Sequence, residues 1–385
     1  MKARAWDRVV FVCTCDSDAT AGSAAMVEKG IDGGRPIPEL AGLDPGCWEI
    51  VIIPPDDPDT AFTILQDKLR ALRRESADAQ IVADFTGGTK SMSAALTLAA
   101  IDGGVPLQLV TGRRADLIRV LDRSEQAVAI HTERIAAARE FERLAAGWGR
   151  YAYQEAAEGF ERLRNDLKAA GLVREELGRF NRAQELSQAF AAWDAFDHRT
   201  AAGCLRRYRD CEIDGRTDWF ELAGVLARGQ DAPWGALHLR DLWHNAQRSA
   251  ARGRYDDAVA RLYRLWEAIA QWLLRVDCGI DTAVIQTGLR KSWDLYLHLR
   301  PGGGAADFWR QTREGQRSEL DRLNERLSIR NKSILAHGWN AITAAGWQSL
   351  SGWTEAGLLQ VLAREAGRLG EPHDLPQLPA ALPSL

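Results

Sequence analysis

The sequence predicts an α/β N-terminal domain built on a largely parallel sheet, followed by an all-α C-terminal half. Three observations carry this reading. Up to about His131, short apolar runs alternate with helical patterns, the signature of strands buried between helices. After Thr132 no further strand signal occurs, and Ala, Arg, Leu and Glu dominate. The N-terminal runs end in small or polar residues, where open α/β sheets place their ligands.

Residues 8–15, RVVFVCTC, form the first expected strand, and residues 18–29 a helix capped by Asp16, Ser17 or Asp18. A second strand over 48–53 is stopped by Pro54 and Pro55, and 60–74 is an amphipathic helix with Phe62, Leu65, Leu69 and Leu72 on one face. Residues 80–100, QIVADFTGGTKSMSAALTLAA, contain a short strand over 81–83, a turn at Thr86-Gly87-Gly88-Thr89 and a helix from Lys90. A strand over 105–111 and a hairpin over 117–121 and 127–130 close the sheet. Successive helices are expected over 135–146, 153–170, 173–196, 201–210 and 256–276, with Trp193, Phe196, Trp219, Trp234, Trp243, Trp266 and Trp272 as apolar anchors. Gly302-Gly303-Gly304 marks a mobile loop, and the prolines after Pro372 rule out a terminal helix, leaving a docked strap or a disordered end.

The glycine turn is the centre of the first domain. The N–H groups of such a turn and of the helix start have no intrahelical partner, and the helix dipole adds positive potential. Gly87 and Gly88 admit close approach, Thr86, Thr89 and Ser91 add hydroxyls, and Lys90 adds a cation. This is chemistry for a phosphate or another nucleotide edge. The turn is not a P-loop, because Thr89 and Asp84 stand where that motif has glycines. The competing reading is a turn that is tight only for packing. Only seven of the 49 basic residues are Lys, which favours a function for Lys90.

Composition describes a globular protein of two or three domains: 385 residues, 46% hydrophobic and 26% charged. No apolar run reaches secretory or membrane-spanning length, so a cytoplasmic location is expected. Cys13, Cys15, Cys47, Cys204, Cys211 and Cys278 show no zinc spacing and read as buried free thiols. Net charge is −4, yet residues 239–338 carry +5. That distribution fits a confined RNA-handling surface, and a solvated helix face is the alternative.

A second constellation lies at 330–338, RNKSILAHG, at the end of a helix expected over 317–337. Arg330 and His337 are then two turns apart on one face. The pair suits a scissile phosphate and a proton transfer. A solvated helix end carrying an Arg and a His by chance is the bland alternative.

Residues 84–92, DFTGGTKSM, resemble the ligand loop of CRISPR-associated Rossmann-fold (CARF) domains, and 330–337, RNKSILAH, resembles the R-x4–6-H motif of HEPN ribonucleases. Residues 193–198, WDAFDH, and 254–264, RYDDAVARLYR, also resemble CARF–HEPN accessory proteins of type III CRISPR systems. The resemblance implies a Rossmann-like CARF domain over 1–134, a connecting helical region over 135–238, a HEPN domain over 239–371 and a Pro-rich tail over 372–385. It implies a cyclic oligoadenylate activator held by Thr14, Cys15, Asp16, Ser17, Thr86, Gly87, Gly88, Thr89, Lys90 and Ser91. It further implies metal-independent cleavage of single-stranded RNA by a homodimer, without cofactor, leaving 2′,3′-cyclic phosphate ends. Arg330 would hold the phosphate, His337 would move a proton or orient the 2′-OH, and Asn331 would support them. Other readings are a cyclic-oligonucleotide-binding regulator with an inactive HEPN domain, a ring nuclease degrading its own activator, and a metal-dependent nucleotide hydrolase using Asp16 and Asp84.

Overall fold

Strand β1 (Val9–Cys13) pairs in parallel with β2 (Trp48–Ile52), residue for residue from Val9↔Trp48 to Cys13↔Ile52. The computed structural model that shows this describes residues 6–16, 22–30, 34–111, 126–130, 132–169, 171, 177–229, 234–282, 288–313, 317–331, 333–335 and 338–383. They fall into two units, Met1–Glu140 and Phe141–Leu385.

In the first unit, α1 (Ser23–Lys29) and the short α2 (Ile37–Leu40) cross from β1 to β2. Helix α3 (Pro58–Glu75) follows, its amino end capped by the Asp57 carboxylate, which accepts from the Thr60 N–H at 3.0 Å. Strand β3 (Ala83–Asp84), helix α4 (Lys90–Asp102) and strand β4 (Leu107–Thr111) form a parallel βαβ unit, and β5 (Gln126–Ile130) adds antiparallel to β4. The α/β architecture is as expected, but the hydrogen-bonded strands form two separate sheets, β1–β2 and β3–β4–β5. The expected strand over 81–83 is shorter and shifted: Ile81 and Val82 lie outside it. Helix α1 begins at Ser23, later than expected, while residues 18–21 and 117–121 lie outside the described residues. The core joins Leu65 and Leu69 of α3 to Ala95, Ala99 and Ala100 of α4. Those alanines let α4 lie close to its neighbours.

The second unit is helical. Helix α5 (Glu133–Ala146) leads into it, and α6 (Tyr153–Ala169), α7 (Gly178–Asp194), α8 (His198–Leu205) and α9 (Trp219–Arg228) enclose one core around Trp148, Phe160, Phe190, Trp193 and Trp219. A second core is built by α10 (Ala236–Ala251), α11 (Tyr255–Cys278), α12 (Leu289–Leu299), α13 (Gly304–Arg310), α14 (Glu319–Asn331), α15 (Ala344–Ala356) and α16 (Leu358–Leu369). Trp243, Trp266, Trp272, Trp293 and Trp309 fill it. One strand pair escapes the composition signal, β6 (Thr312–Arg313) with β7 (Arg317–Ser318), too short to show any alternation. Of the three glycines at 302–304 only the first two precede helix; Gly304 starts α13, and a Cβ there would stand 2.4 Å from Arg364 Cδ.

The proline-rich end is a docked strap. Leu375 and Leu378 are buried in the first helical core, Tyr153 donates to the Pro379 carbonyl at 2.6 Å, and His244 Nε2 lies 2.8 Å from the Leu375 carbonyl. With no ladder available to prolines, side chains of the bundle hold the strap's carbonyls instead. The cysteines are free, but only Cys13 is buried; Cys15 and Cys211 are exposed. No described helix is long and apolar enough to cross a membrane.

Candidate functional site

The glycine turn is a scaffolded loop at the carboxyl end of β3. Asp84 accepts from the Thr86 N–H at 2.8 Å and from Gln108 Nε2 at 3.0 Å, an Asx turn that bends the chain off the strand. Thr86 Oγ1 accepts from the Val110 N–H of β4 at 2.7 Å. Thr89 caps α4, accepting from the Met92 N–H at 3.2 Å, and donates its own proton to the Pro55 carbonyl at 3.1 Å. The Thr89 hydroxyl is therefore committed to the fold, whereas Thr86 keeps a proton to donate. The sequence treats the two glycines alike, but the structure separates them. Gly88 takes the left-handed backbone, φ +98°, while a Cβ on Gly87 would meet open space. Lys90 is exposed and has no acid partner among the described residues, and Ser91 is half-buried beside it.

The glycine turn is tied to the end of β2, the neighbour of β1. The Ile53 N–H donates to the Cys13 carbonyl, which keeps β2 beside β1 to its end, and Pro55 then reaches Thr89. Here Thr14 is buried and spends its polar groups on Ser23, its N–H donating to Ser23 Oγ at 2.9 Å and its Oγ1 accepting from the Ser23 N–H at 3.2 Å. These bonds hold the loop at the start of α1. Cys15 and Asp16 are exposed, and Asp16 accepts from the Gly22 N–H at 2.7 Å. Ser17 lies outside the described residues. The chain reading missed Gly22, Ser23 and Pro55. Gly22 alone had a legible signal, a glycine directly before a helix, yet its reason is tertiary.

In the second unit Arg330 and Asn331 end helix α14, and Arg330 NH1 lies 3.4 Å from Asn331 Oδ1. Of the helix expected over 317–337, Glu319–Asn331 forms. The backbone at 317–318 is strand, and the helix stops at Asn331. Ser333 explains the stop. Its N–H bonds the Arg330 carbonyl three residues back, its own carbonyl accepts from the Gly338 N–H, and it bridges to Asn340. The described residues that follow Asn331 are not helical, and His337 itself lies outside the described residues.

Arg330 also differs from its neighbours in charge pairing. Arg322 and Arg326, on the same helix, each reach Glu319 at 3.4 Å. Arg330 has no carboxylate partner among the described residues. Its guanidinium lies instead over the Tyr263 ring of α11, 4.5 Å from the centroid. A cation held by an aromatic face keeps its charge and its in-plane N–H donors for an anion. Beyond it Ile334 and Leu335 are exposed, and Trp339 is 89% exposed.

A buried polar network braces this unit, and it explains the WDAFDH stretch. Trp193 Nε1 and His198 Nε2 both approach the Asp241 carboxylate, at 3.3 and 2.8 Å. Asp194 accepts from Arg248 Nε at 2.6 Å and from Asn245 at 2.8 Å, and Asn245 in turn accepts from Arg261 Nε. Phe196 takes a left-handed backbone, φ +62°, which reverses the chain between α7 and α8, and Asp197 caps α8 through the Thr200 N–H. Burial pushes the Asp241 carboxyl up, but the His198 bond and the Arg248 charge outweigh it and hold the group below the ordinary carboxylate range. No group of three His, Cys, Asp or Glu placed to hold a metal ion occurs among the described residues.

Comparison with known proteins bears on the fold. Residues 229–300, which span α10, α11 and α12, match the family model described as the Csm6 HEPN domain. Among solved structures the chain resembles Enterococcus italicus Csm6 bound to cyclic hexa-2′-fluoro-hexa-dAMP, with a TM-score of 0.50 and 13% identity over 93% of this chain and 88% of that one. At that identity the likeness is one of fold. No curated protein matches by sequence. The domain match and the shared fold both support the resemblance to CARF–HEPN accessory proteins.

Proposed function

We propose that this chain, of the CRISPR-associated CARF–HEPN type, is a cytoplasmic endoribonuclease that a cyclic oligoadenylate switches on. The observation that carries the reading is Arg330: an arginine free of any described carboxylate, at a helix end, in the unit that holds the Csm6 HEPN match. Arg330 binds the scissile phosphate, and Asn331 supports it. The 2′-oxygen attacks the adjacent phosphorus, the bond to the 5′-oxygen breaks, and the products carry a 2′,3′-cyclic phosphate and a 5′-OH. The 2′-OH proton passes to His337, or to water where His337 only orients the hydroxyl, and the departing 5′-oxygen takes a proton back from water. No step calls for a metal ion.

One chain supplies one such Arg/His pair, so the site is composed from two protomers about a twofold axis. The exposed Ile334, Leu335 and Trp339 beside Arg330 support this, being apolar surface that a second copy would cover. The activator binds at the loops around Cys15, Asp16 and Thr86–Ser91, with Lys90 as the principal charge. The cyclic hexanucleotide named with the Enterococcus italicus structure makes a six-membered ring the first to try. The deciding experiment is cleavage of single-stranded RNA with cyclic tri-, tetra- and hexa-adenylate, each against no activator, by wild type and Arg330→Ala. Cleavage that depends on one ring and on Arg330 supports the proposal; cleavage by neither protein under any condition overturns it.

A further inference from the structure

The stretch at 254–264 carries a residue whose task none of the foregoing assigns. Tyr263 is half-buried on α11, packed against the second helical core, with its ring under the Arg330 guanidinium at 4.5 Å. Its hydroxyl has no hydrogen-bond partner among the described residues. What Tyr263 offers Arg330 is therefore the aromatic face alone. One turn earlier on α14 the same arrangement recurs, with the Arg326 guanidinium 4.2 Å from the Trp353 centroid, but Arg326 is also paired with Glu319. Arg330 Nε is buried without an acceptor, so the side chain is fixed on its inner edge by packing and by the ring, not by an acid.

We infer that Tyr263 is a positioning residue for RNA cleavage, holding the Arg330 guanidinium by its ring so that the terminal N–H groups meet the phosphate with their charge uncompensated. The inference rests on the proposed ribonuclease reading. A carboxylate in the place of Tyr263 would fix Arg330 equally well but would neutralise it and compete with the phosphate. An aliphatic residue would leave the charge intact but the long side chain free to wander. An aromatic face gives attraction without competition, which is why the ring and not its hydroxyl matters.

The test uses the full-length protein, single-stranded RNA and an equimolar mixture of cyclic tri-, tetra- and hexa-adenylate. Tyr263→Phe should cleave at the wild-type rate. Tyr263→Leu and Tyr263→Met should lose about fivefold in kcat with little change in KM, the scale of one cation–π contact. Tyr263→Glu should lose more than either. In an Arg330→Ala background the Tyr263→Met change should add nothing. The two readings fail differently. If neither wild type nor Arg330→Ala cleaves, the ribonuclease reading falls; if Arg330→Ala cleaves like wild type, the place of Arg330 in the site falls, and in either case the task of Tyr263 falls with it. If Arg330→Ala is inactive while Tyr263→Met, folded as judged by its melting temperature, keeps wild-type kcat, the positioning role alone is overturned. Equal losses in Tyr263→Phe and Tyr263→Leu would also overturn it, by assigning the effect to the hydroxyl.

Discussion

Gly22 stands so close to Cys15 that a Cβ on it would lie 2.2 Å from the Cys15 carbonyl carbon. The contact is with backbone, so no rotamer relieves it. Gly22→Ala must push the loop at 14–16 away from α1 and break the Thr14–Ser23 bonds. Activator binding should weaken while the melting of the helical unit stays unchanged. Calorimetry with cyclic hexa-, tetra- and tri-adenylate on wild type and variant checks this, and unchanged affinity would remove the first loop from the site.

Lys90→Ala should lower activator affinity at least about tenfold, since a charge-assisted contact contributes roughly 1.5–3 kcal/mol. The glycines should separate. Gly87→Ala meets open space and should bind nearly as wild type, whereas Gly88→Ala forces a side chain onto a left-handed backbone, at a cost of about 1–2 kcal/mol. Binding isotherms for the three variants would show the order.

Asp241→Ala should destabilise the helical unit by roughly 3–5 kcal/mol, the cost of leaving a buried ion unpaired. The ion is Arg248, which is 0% exposed and 3.3 Å from Asp241. Chemical denaturation measures it; a change under about 1 kcal/mol would mean that Asp194 alone satisfies the arginine.

The strap should loosen in mild acid. Burial lowers the pKa of His244, only partly offset by its bonds to Gln247 and the Leu375 carbonyl. The detached or unfolded chain then binds a proton at about pH 6.5 while the docked form does not. Stability is therefore fully present above that pH and falls as the pH drops below it, until the docked form also protonates. Hydrogen exchange of residues 375–379 at pH 7.5 and 5.5 should show earlier opening at the lower value, and His244→Gln should flatten the difference.

His337→Ala should abolish activator-dependent cleavage and leave activator affinity nearly unchanged, and chelator should leave wild-type cleavage intact. Loss of cleavage in EDTA, restored by magnesium or manganese, would move the assignment to a metal-dependent hydrolase.

The glycine turn was legible because its signal is local: a strand end, two glycines and a helix start within ten or so residues. Five of the seven expected aromatic anchors, Trp193, Trp219, Trp243, Trp266 and Trp272, were legible for a similar reason, since large rings on helical faces go to the core, whereas Phe196 and Trp234 are only half-buried. What the chain did not disclose is set by distant partners. The bonds of Thr14 to Ser23 and of Thr89 to Pro55 have no mark in the local sequence. Gly87 and Gly88 look equivalent until one takes a positive φ. The helix over 317–337 has acceptable helical residues to its end, and the bonds of Ser333 to Arg330, Gly338 and Asn340 accompany its stop at Asn331. Arg330 was found by its motif, but its uncompensated charge and its bed on Tyr263 belong to the packing of α14 on α11.

The docked strap bears on how the chain is made. Tyr153 and Pro379 are bonded across 226 residues of sequence, and the Leu375 and Leu378 side chains complete a core whose other members lie between Leu144 and Leu237. During synthesis those helices emerge long before the segment that seals them. The first helical core must therefore wait, with apolar surface uncovered, until residues 375–379 have left the ribosome. A ribosome stalled in the last helix would hold a protein whose N-terminal α/β unit is finished and whose helical unit is still open.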